Sequence, residues 1–150
     1  MTPSRKGPAT SKPSRSTLEG FDIQTTVRSP LPRIPFEAIA RMVLGKHYEL
    51  SVVICGDKLA RHAIQDHRPA SAGTHKSYAP NVLSFPLTKD TGEIFLNVRK
   101  AEREAKHMGI SPRMRIAHLY VHGCFHLAGH DHSDDMEHRE DVILSHFNLV

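Results

Sequence analysis

Tryptophan is absent from the 150-residue sequence, and aromatic residues and cysteine are scarce, with six Phe, three Tyr and two Cys. So few aromatic rings give little support to a nucleic-acid binder that works mainly by base stacking. No apolar run approaches the roughly 18 residues that a membrane-spanning helix needs, so we expect no contact with a membrane. Cys55 and Cys124 lie in apolar stretches and no secretory signal pattern precedes them, which favours two buried free thiols over a disulfide.

Acidic residues are also missing from the first 18 positions, of which 14 are Ser, Thr, Pro, Lys or Arg. Such a composition buries too little apolar surface to offset the entropy of ordering, so we predict a disordered basic tail over residues 1–20. An organelle transit peptide is the alternative, although the prolines at positions 3, 8 and 13 disfavour the helix that it needs. Because the tail holds most of the net charge of +4, the charge of the remaining chain does not indicate a partner.

Residues 21–150 are predicted to form one small α+β domain, in which a mixed sheet of about four strands packs against helices. Alternating or continuous apolar patterns predict strands over residues 21–27, 50–55, 81–87 and 93–98. Helical periodicity predicts helices over residues 35–47, 58–65, 99–107, 112–128 and 134–147. The segment 69–80 is rich in small residues and proline and is predicted to be a loop.

Histidine is the abundant residue, with 12 in the chain and eight of them between His107 and His146. His122 and His126 are four positions apart on a predicted helix, so both imidazoles lie on one face. Gly129 can end the helix and turn the chain back, which brings His132 within reach as a third ligand. Three protein ligands with one open position are typical of a catalytic zinc site on a zincin-like helix. His118 lies two turns from His126 and His130 lies too close behind Gly129, so both are better placed as cleft walls or surface residues.

The residue after the first histidine separates two kinds of zinc hydrolase. Peptide-cleaving sites of this layout carry a glutamate there as the general base, whereas this chain has Gly123. A zinc metallopeptidase is therefore the less favoured alternative. A non-catalytic ribosome assembly factor with a structural zinc ion is a second alternative, and the ligand pattern does not separate it from an enzyme.

Three segments resemble the family of YbeY-type endoribonucleases that mature ribosomal RNA. The family hallmark is similar to HGCFHLAGHDH at positions 122–132, with His130 where the family usually has an aromatic residue. A second family segment resembles Asn81-Val-Leu-Ser-Phe-Pro86, and a third resembles Gly92-Glu-Ile-Phe-Leu96. The resemblance covers about residues 21–149.

This resemblance implies a zinc-dependent endoribonuclease, specific for single strands, that acts in 16S rRNA 3′-end maturation and ribosome quality control. It implies His122, His126 and His132 as ligands of one zinc ion, with His122 in the catalytic site. The important family arginine corresponds best to Arg68, and Lys76 to the following lysine, with about six extra residues between them. We predict that Arg68 is catalytic and that Arg68, Lys76 and Ser84 bind substrate. The implied partners are the 16S rRNA precursor and ribosomal particles, with a ribosomal protein or a GTPase as further candidates, in the cytoplasm rather than an organelle.

A basic cluster on two predicted helices leaves two interpretations open. Its six cations could hold an RNA backbone, or they could form an ordinary solvated helix face. The cluster consists of Arg99, Lys100, Arg103, Lys106, Arg113 and Arg115.

Overall fold

The computed structural model describes residues 15–18, 20–66, 78–130 and 134–150, which form one five-stranded mixed sheet covered by helices. The elements in chain order are β1 (Arg15–Leu18), β2 (Phe21–Thr25), α1 (Phe36–Leu44), β3 (Glu49–Cys55), α2 (Asp57–Asp66), β4 (Val82–Thr88), β5 (Thr91–Asn97), α3 (Val98–Met108), α4 (Pro112–Leu127) and α5 (Asp134–His146). The predicted α+β class, the four predicted strands and the five predicted helices are confirmed, with ends that differ by a few residues. No helix among these elements combines the length and apolar character needed to cross a membrane.

The sheet has the order β1-β2-β3-β5-β4. Its three inner strands, β2, β3 and β5, run parallel, so the carboxyl ends of these strands meet at one edge of the sheet. The outer strands are antiparallel members of two hairpins, β1 with β2 and β4 with β5. Strand β4 is therefore an edge strand, and α4 packs against it and against β5.

Strand β1 lies inside the segment that composition predicted to be disordered. It pairs with β2 from Arg15 opposite Gln24 to Leu18 opposite Phe21, and Gly20 makes the turn at a φ of +78°. Ladder hydrogen bonds use the backbone, so an edge strand forms beside an existing sheet without the apolar content that a compositional argument requires. The boundary at residue 20 was therefore wrong for residues 15–18. Residues 1–14 lie outside the described residues, and the tail stays a prediction there.

Helix α4 runs through the core and carries the candidate site. Ser111 caps its first turn by accepting a hydrogen bond from the Met114 backbone N–H at 3.1 Å, and Pro112 occupies the first helical position. The helix contacts α1, α3 and α5 as well as the sheet. It ends at Leu127, and Gly129 adopts a φ of +92°, as the sequence predicted.

The centre of the core joins the sheet to these helices. The Tyr120 hydroxyl donates to the Phe36 carbonyl oxygen at 2.7 Å, and the two rings meet edge to face with centroids 4.9 Å apart. Fully buried side chains surround this pair, among them Ile39, Val52, Ile54, Ile94, Leu96, Ile116 and Val121. This packing holds α4 in a single position relative to β4.

Both cysteines are free and buried, which confirms the predicted reduced thiols. Burial raises the pKa of the Cys55 thiol and of the Cys124 thiol to about 12 each. We expect a thiol reagent at pH 8 to label neither cysteine in the folded protein and both in denaturant, because the thiolate is the reactive form. Since the unfolded thiols ionise first, the free energy of unfolding should fall as pH rises from 9 towards 12. Rapid labelling of either cysteine in the folded protein would contradict this prediction.

Candidate active site

Two histidines on one face of α4 form the centre of the candidate site. The Nε2 atoms of His122 and His126 lie 2.9 Å apart, and their rings are nearly perpendicular at 85°. Both side chains are partly exposed. The predicted juxtaposition of the two imidazoles is therefore present in the fold.

Glu140 of α5 lies behind the histidines and is only 3% exposed. One carboxylate oxygen is 2.6 Å from Nδ1 of His122, and the other is 3.4 Å from Nε2 of His118. Because an ionised carboxylate only accepts hydrogen bonds, His122 donates its Nδ1–H to Glu140. The unprotonated Nε2 of His122 then faces His126, and this is the tautomer that a metal-binding histidine needs.

His118 is held by partners on both sides of its ring. The Arg115 guanidinium lies 3.1 Å from Nδ1 of His118 and can only donate a hydrogen bond. The ring therefore accepts at Nδ1 and directs its Nε2–H towards Glu140. His118 lines the wall of the cleft, as predicted, and both of its nitrogens are engaged.

The pair of Nε2 atoms fits a shared metal ion. Two imidazole nitrogens bound to one tetrahedral ion lie roughly 3.3 Å apart, close to the observed separation of 2.9 Å. His132, the predicted third ligand, lies outside the described residues. Within the residues that the structure describes, no group of three His, Cys, Asp or Glu side chains is placed to hold a metal. The three-histidine set thus stays a prediction that rests on the two nitrogens and the buried Glu140.

A cavity of about 630 Å³ opens beside the two histidines, between α4 and the edge strand β4. None of its described lining residues is acidic; they are Asn81, Val82, Leu83, Ser84, Arg115, His118, Leu119, His122 and His126. Glu104 fixes the wall from behind, because its carboxylate contacts the Arg115 guanidinium at 2.9 Å and the Asn81 amide at 3.2 Å. A cavity with an arginine, three imidazoles and no lining carboxylate suits an anionic substrate such as a phosphodiester.

Ser84 lines this cavity, but its hydroxyl is already used. Ser84 Oγ donates to the Gly123 carbonyl oxygen at 3.0 Å and so ties β4 to α4. A Cβ at position 123 would meet Ser84 Oγ at 3.0 Å, Val82 Cγ2 at 3.2 Å and Ile94 Cδ1 at 3.3 Å. A glutamate at this position would enter the packed sheet, which removes support from the peptidase alternative. The predicted role of Ser84 in substrate binding remains a prediction.

The remaining predicted residues divide into two groups. Arg68 and Lys76 lie outside the described residues, so their predicted roles in catalysis and substrate binding stay predictions. The basic cluster is mostly engaged in the fold, because Arg99 pairs with Glu102, Arg103 with Asp57, and Arg113 with backbone carbonyl oxygens. Of the six cations, Arg115 is the one that lines the cavity.

Glu140 is the site residue whose role sequence reasoning missed. It was recognised as part of the closing helix and given no function. Its signal was an acidic residue among apolar positions, since Met136, Glu140, Ile143 and Leu144 are the buried residues of α5. An acidic side chain in a buried stripe requires a partner, and here the partners are two histidines of α4.

Known proteins share this fold and sequence. The family model of endoribonuclease YbeY matches residues 19–148. An endoribonuclease YbeY of Alkaliphilus metalliredigens is 32% identical over 119 residues, which cover 69% of this chain and 73% of the relative. One from Methylobacillus flagellatus is 34% identical over 113 residues, or 73% of this chain and 70% of the relative. One from Pseudomonas putida is 43% identical over 74 residues, which cover 44% of this chain and about half of the relative, 47%.

A solved structure agrees on the architecture. The solution structure of a Thermotoga maritima protein superposes with a TM-score of 0.53 at 24% identity and covers 72% of this chain and 73% of that one. At this identity the likeness concerns the fold alone. The family resemblance predicted from the histidine and NVLSFP motifs is confirmed by the family match. The chain belongs to the endoribonuclease YbeY family, which makes it an enzyme that cuts RNA.

Proposed function

We propose that this protein is a zinc-dependent endoribonuclease that cuts single-stranded RNA in the cavity between α4 and β4. One zinc ion per chain would be held by His122, His126 and His132. The observation that carries the proposal is the hydrogen bond from His122 to the buried Glu140, which leaves Nε2 of His122 unprotonated opposite Nε2 of His126.

The chain's own residues bind and orient the phosphate. When bound, the zinc ion supplies positive charge that stabilises the developing charge on the phosphate oxygens. Arg115, held in place by Glu104, presents a guanidinium to the same cavity. Arg68 is proposed to add a two-pronged contact to the phosphate, and Lys76 a single positive charge.

The proposed role in the cell is 16S rRNA 3′-end maturation and ribosome quality control in the cytoplasm. Membership in the family supports this role, with ribosomal particles as the substrate and a ribosomal protein or a GTPase as candidate partners. Cleavage of precursor 16S rRNA in isolated particles, compared with mature particles, is the direct measurement.

Replacing Arg68 by alanine tests the catalytic proposal. The variant should fold and keep its zinc, because a loop cation takes no part in ligation, yet cut single-stranded RNA at least tenfold more slowly. Removal of one charged donor from a transition state typically costs roughly 2–4 kcal/mol. Arg68→Lys should restore the rate only in part, and Lys76→Ala should mainly weaken binding.

The measurement is a cleavage assay on zinc-loaded protein with single-stranded RNA, duplex RNA and a protein substrate in parallel. If the zinc-loaded wild type cuts no RNA, the non-catalytic assembly factor becomes the better explanation. If Arg68→Ala is as fast as wild type while Lys76→Ala is inactive, the phosphate contact belongs to the Lys76 side of the loop.

A further inference from the structure

A second cavity of about 580 Å³ lies at the carboxyl ends of β2 and β3, and none of its lining residues is shared with the candidate active site. We call it the basic crevice. Its lining includes the side chains of Arg28, Lys58, His62 and Arg99, together with Asp57 and Gly56. Cavities at the carboxyl edge of parallel strands are common places for ligands in proteins with such sheets.

The charge of the basic crevice is largely uncompensated. Among the described residues, Arg28 and Lys58 form no ion pair and both are exposed. Arg99 is shared between Glu102 at 3.3 Å and the Ser29 hydroxyl at 3.0 Å. Three cations therefore converge on a cavity that is open to solvent, an arrangement that favours anions.

The acidic group in the crevice lining does not cancel these charges. The Asp57 carboxylate accepts hydrogen bonds from the Arg103 guanidinium at 3.0 Å and from the Asn97 amide at 2.8 Å. These contacts lower the pKa of Asp57 and neutralise its charge locally. Arg28, Lys58 and Arg99 are thus left to an anion from outside the chain.

The crevice and the active-site cavity are neighbours on one edge of the sheet. Asn97, 1% exposed, joins them: its backbone N–H donates to the carbonyl oxygen of Asn81 at 2.9 Å, and its side-chain amide donates to Pro80 and Asp57. Asn81 lines the active-site cavity, and Asp57 lines the crevice. The same region carries Tyr78, 47% exposed, with the Lys100 ammonium 4.8 Å from its ring centroid.

We propose that the basic crevice binds backbone phosphates of the same RNA strand whose cleaved phosphate lies in the active-site cavity. The inference rests on the proposed function, because it takes RNA as the substrate. Lysine and arginine that neutralise phosphates release bound counterions, so each contact adds about 0.7 to the salt dependence of binding to a single strand. The crevice would thereby make the enzyme prefer an RNA long enough to reach both cavities.

The double variant Arg28→Gln, Lys58→Gln tests this proposal. Its matched control is Lys46→Gln, Lys89→Gln, which removes two exposed cations at the opposite edge, near the start of β3 and in the β4–β5 turn. The binding of a single-stranded RNA of about 20 nucleotides, longer than a typical single-strand site, and of a trinucleotide is measured by fluorescence anisotropy over a range of salt concentrations. Gel analysis confirms that the RNA is intact.

For the long RNA we expect the crevice variant to bind roughly 10–30-fold more weakly at 0.1 M salt, with a salt slope shallower by about 1.4. The trinucleotide should bind to the crevice variant, and be cut by it, within about twofold of wild type. The control variant should match wild type with both RNAs. Loss of trinucleotide binding in the crevice variant, or an equal loss in the control, would overturn the proposal.

Two further outcomes separate this proposal from the proposed function. If the wild type cuts neither RNA but the crevice variant still shows the shallower slope, the crevice is supported and the catalytic proposal fails. Inorganic phosphate and a nucleoside monophosphate are titrated in parallel. If the crevice variant loses these small anions while its binding of long RNA is unchanged, the crevice is a small-anion site and the proposal is wrong.

Discussion

Replacing His126 by alanine should remove the bound zinc and lower the rate of RNA cleavage by at least about 100-fold. The substitution deletes one of the two imidazoles that face each other across 2.9 Å. A catalytic zinc site needs about three protein ligands, so His122 and His132 alone should not retain the ion. The melting temperature should also fall, because an ion bound only by the folded state stabilises it by mass action. Metal analysis, RNA cleavage and thermal unfolding measure the three effects.

His130→Ala is the matched control for this prediction. It removes an imidazole from the same stretch of chain, where the His130 ring packs on Phe125 with centroids 5.3 Å apart. This variant should keep one zinc ion and cut RNA at a rate close to wild type. Full zinc occupancy in His126→Ala together with loss of zinc in His130→Ala would show that the ligands have been assigned to the wrong histidines.

Gly123→Glu should destabilise the protein by roughly 3–5 kcal/mol and should create no peptidase. The new Cβ would press on Ser84, Val82 and Ile94 at 3.0–3.3 Å, and overpacking of this kind costs about 1–3 kcal/mol. The carboxylate would then lie between helix and sheet without a hydrogen-bonding partner, which adds a further desolvation cost. Urea unfolding measures the loss of stability, and a protein substrate tests for peptide hydrolysis.

The control for this second prediction is Ala128→Glu, which adds the same side chain at an exposed position just after α4. A substitution there should change the free energy of unfolding by about 0.5 kcal/mol or less. A Gly123→Glu variant as stable as wild type would show that α4 is not held against β4 as described. The appearance of peptide hydrolysis in that variant would restore the peptidase alternative.

Features that depend on neighbours in the sequence were predictable from the sequence. The four-residue spacing of His122 and His126 places them on one face of any helix, so their meeting does not depend on the rest of the fold. The cap at Ser111 and the turn at Gly129 are likewise local, since each follows from the conformational preference of one residue. These signals predicted the metal-binding helix and its ends.

Features that join distant segments were decided by the tertiary structure alone. Glu140 reaches His122 across 18 positions because α5 packs on α4, and no local pattern specifies that contact. Ser84 contacts Gly123 across 39 positions only because β4 lies at the sheet edge under α4. Strand β1 and the nearness of the basic crevice to the active site have the same origin. Backbone pairing and helix packing depend on which surfaces meet in three dimensions, and the order of residues along the chain does not record this.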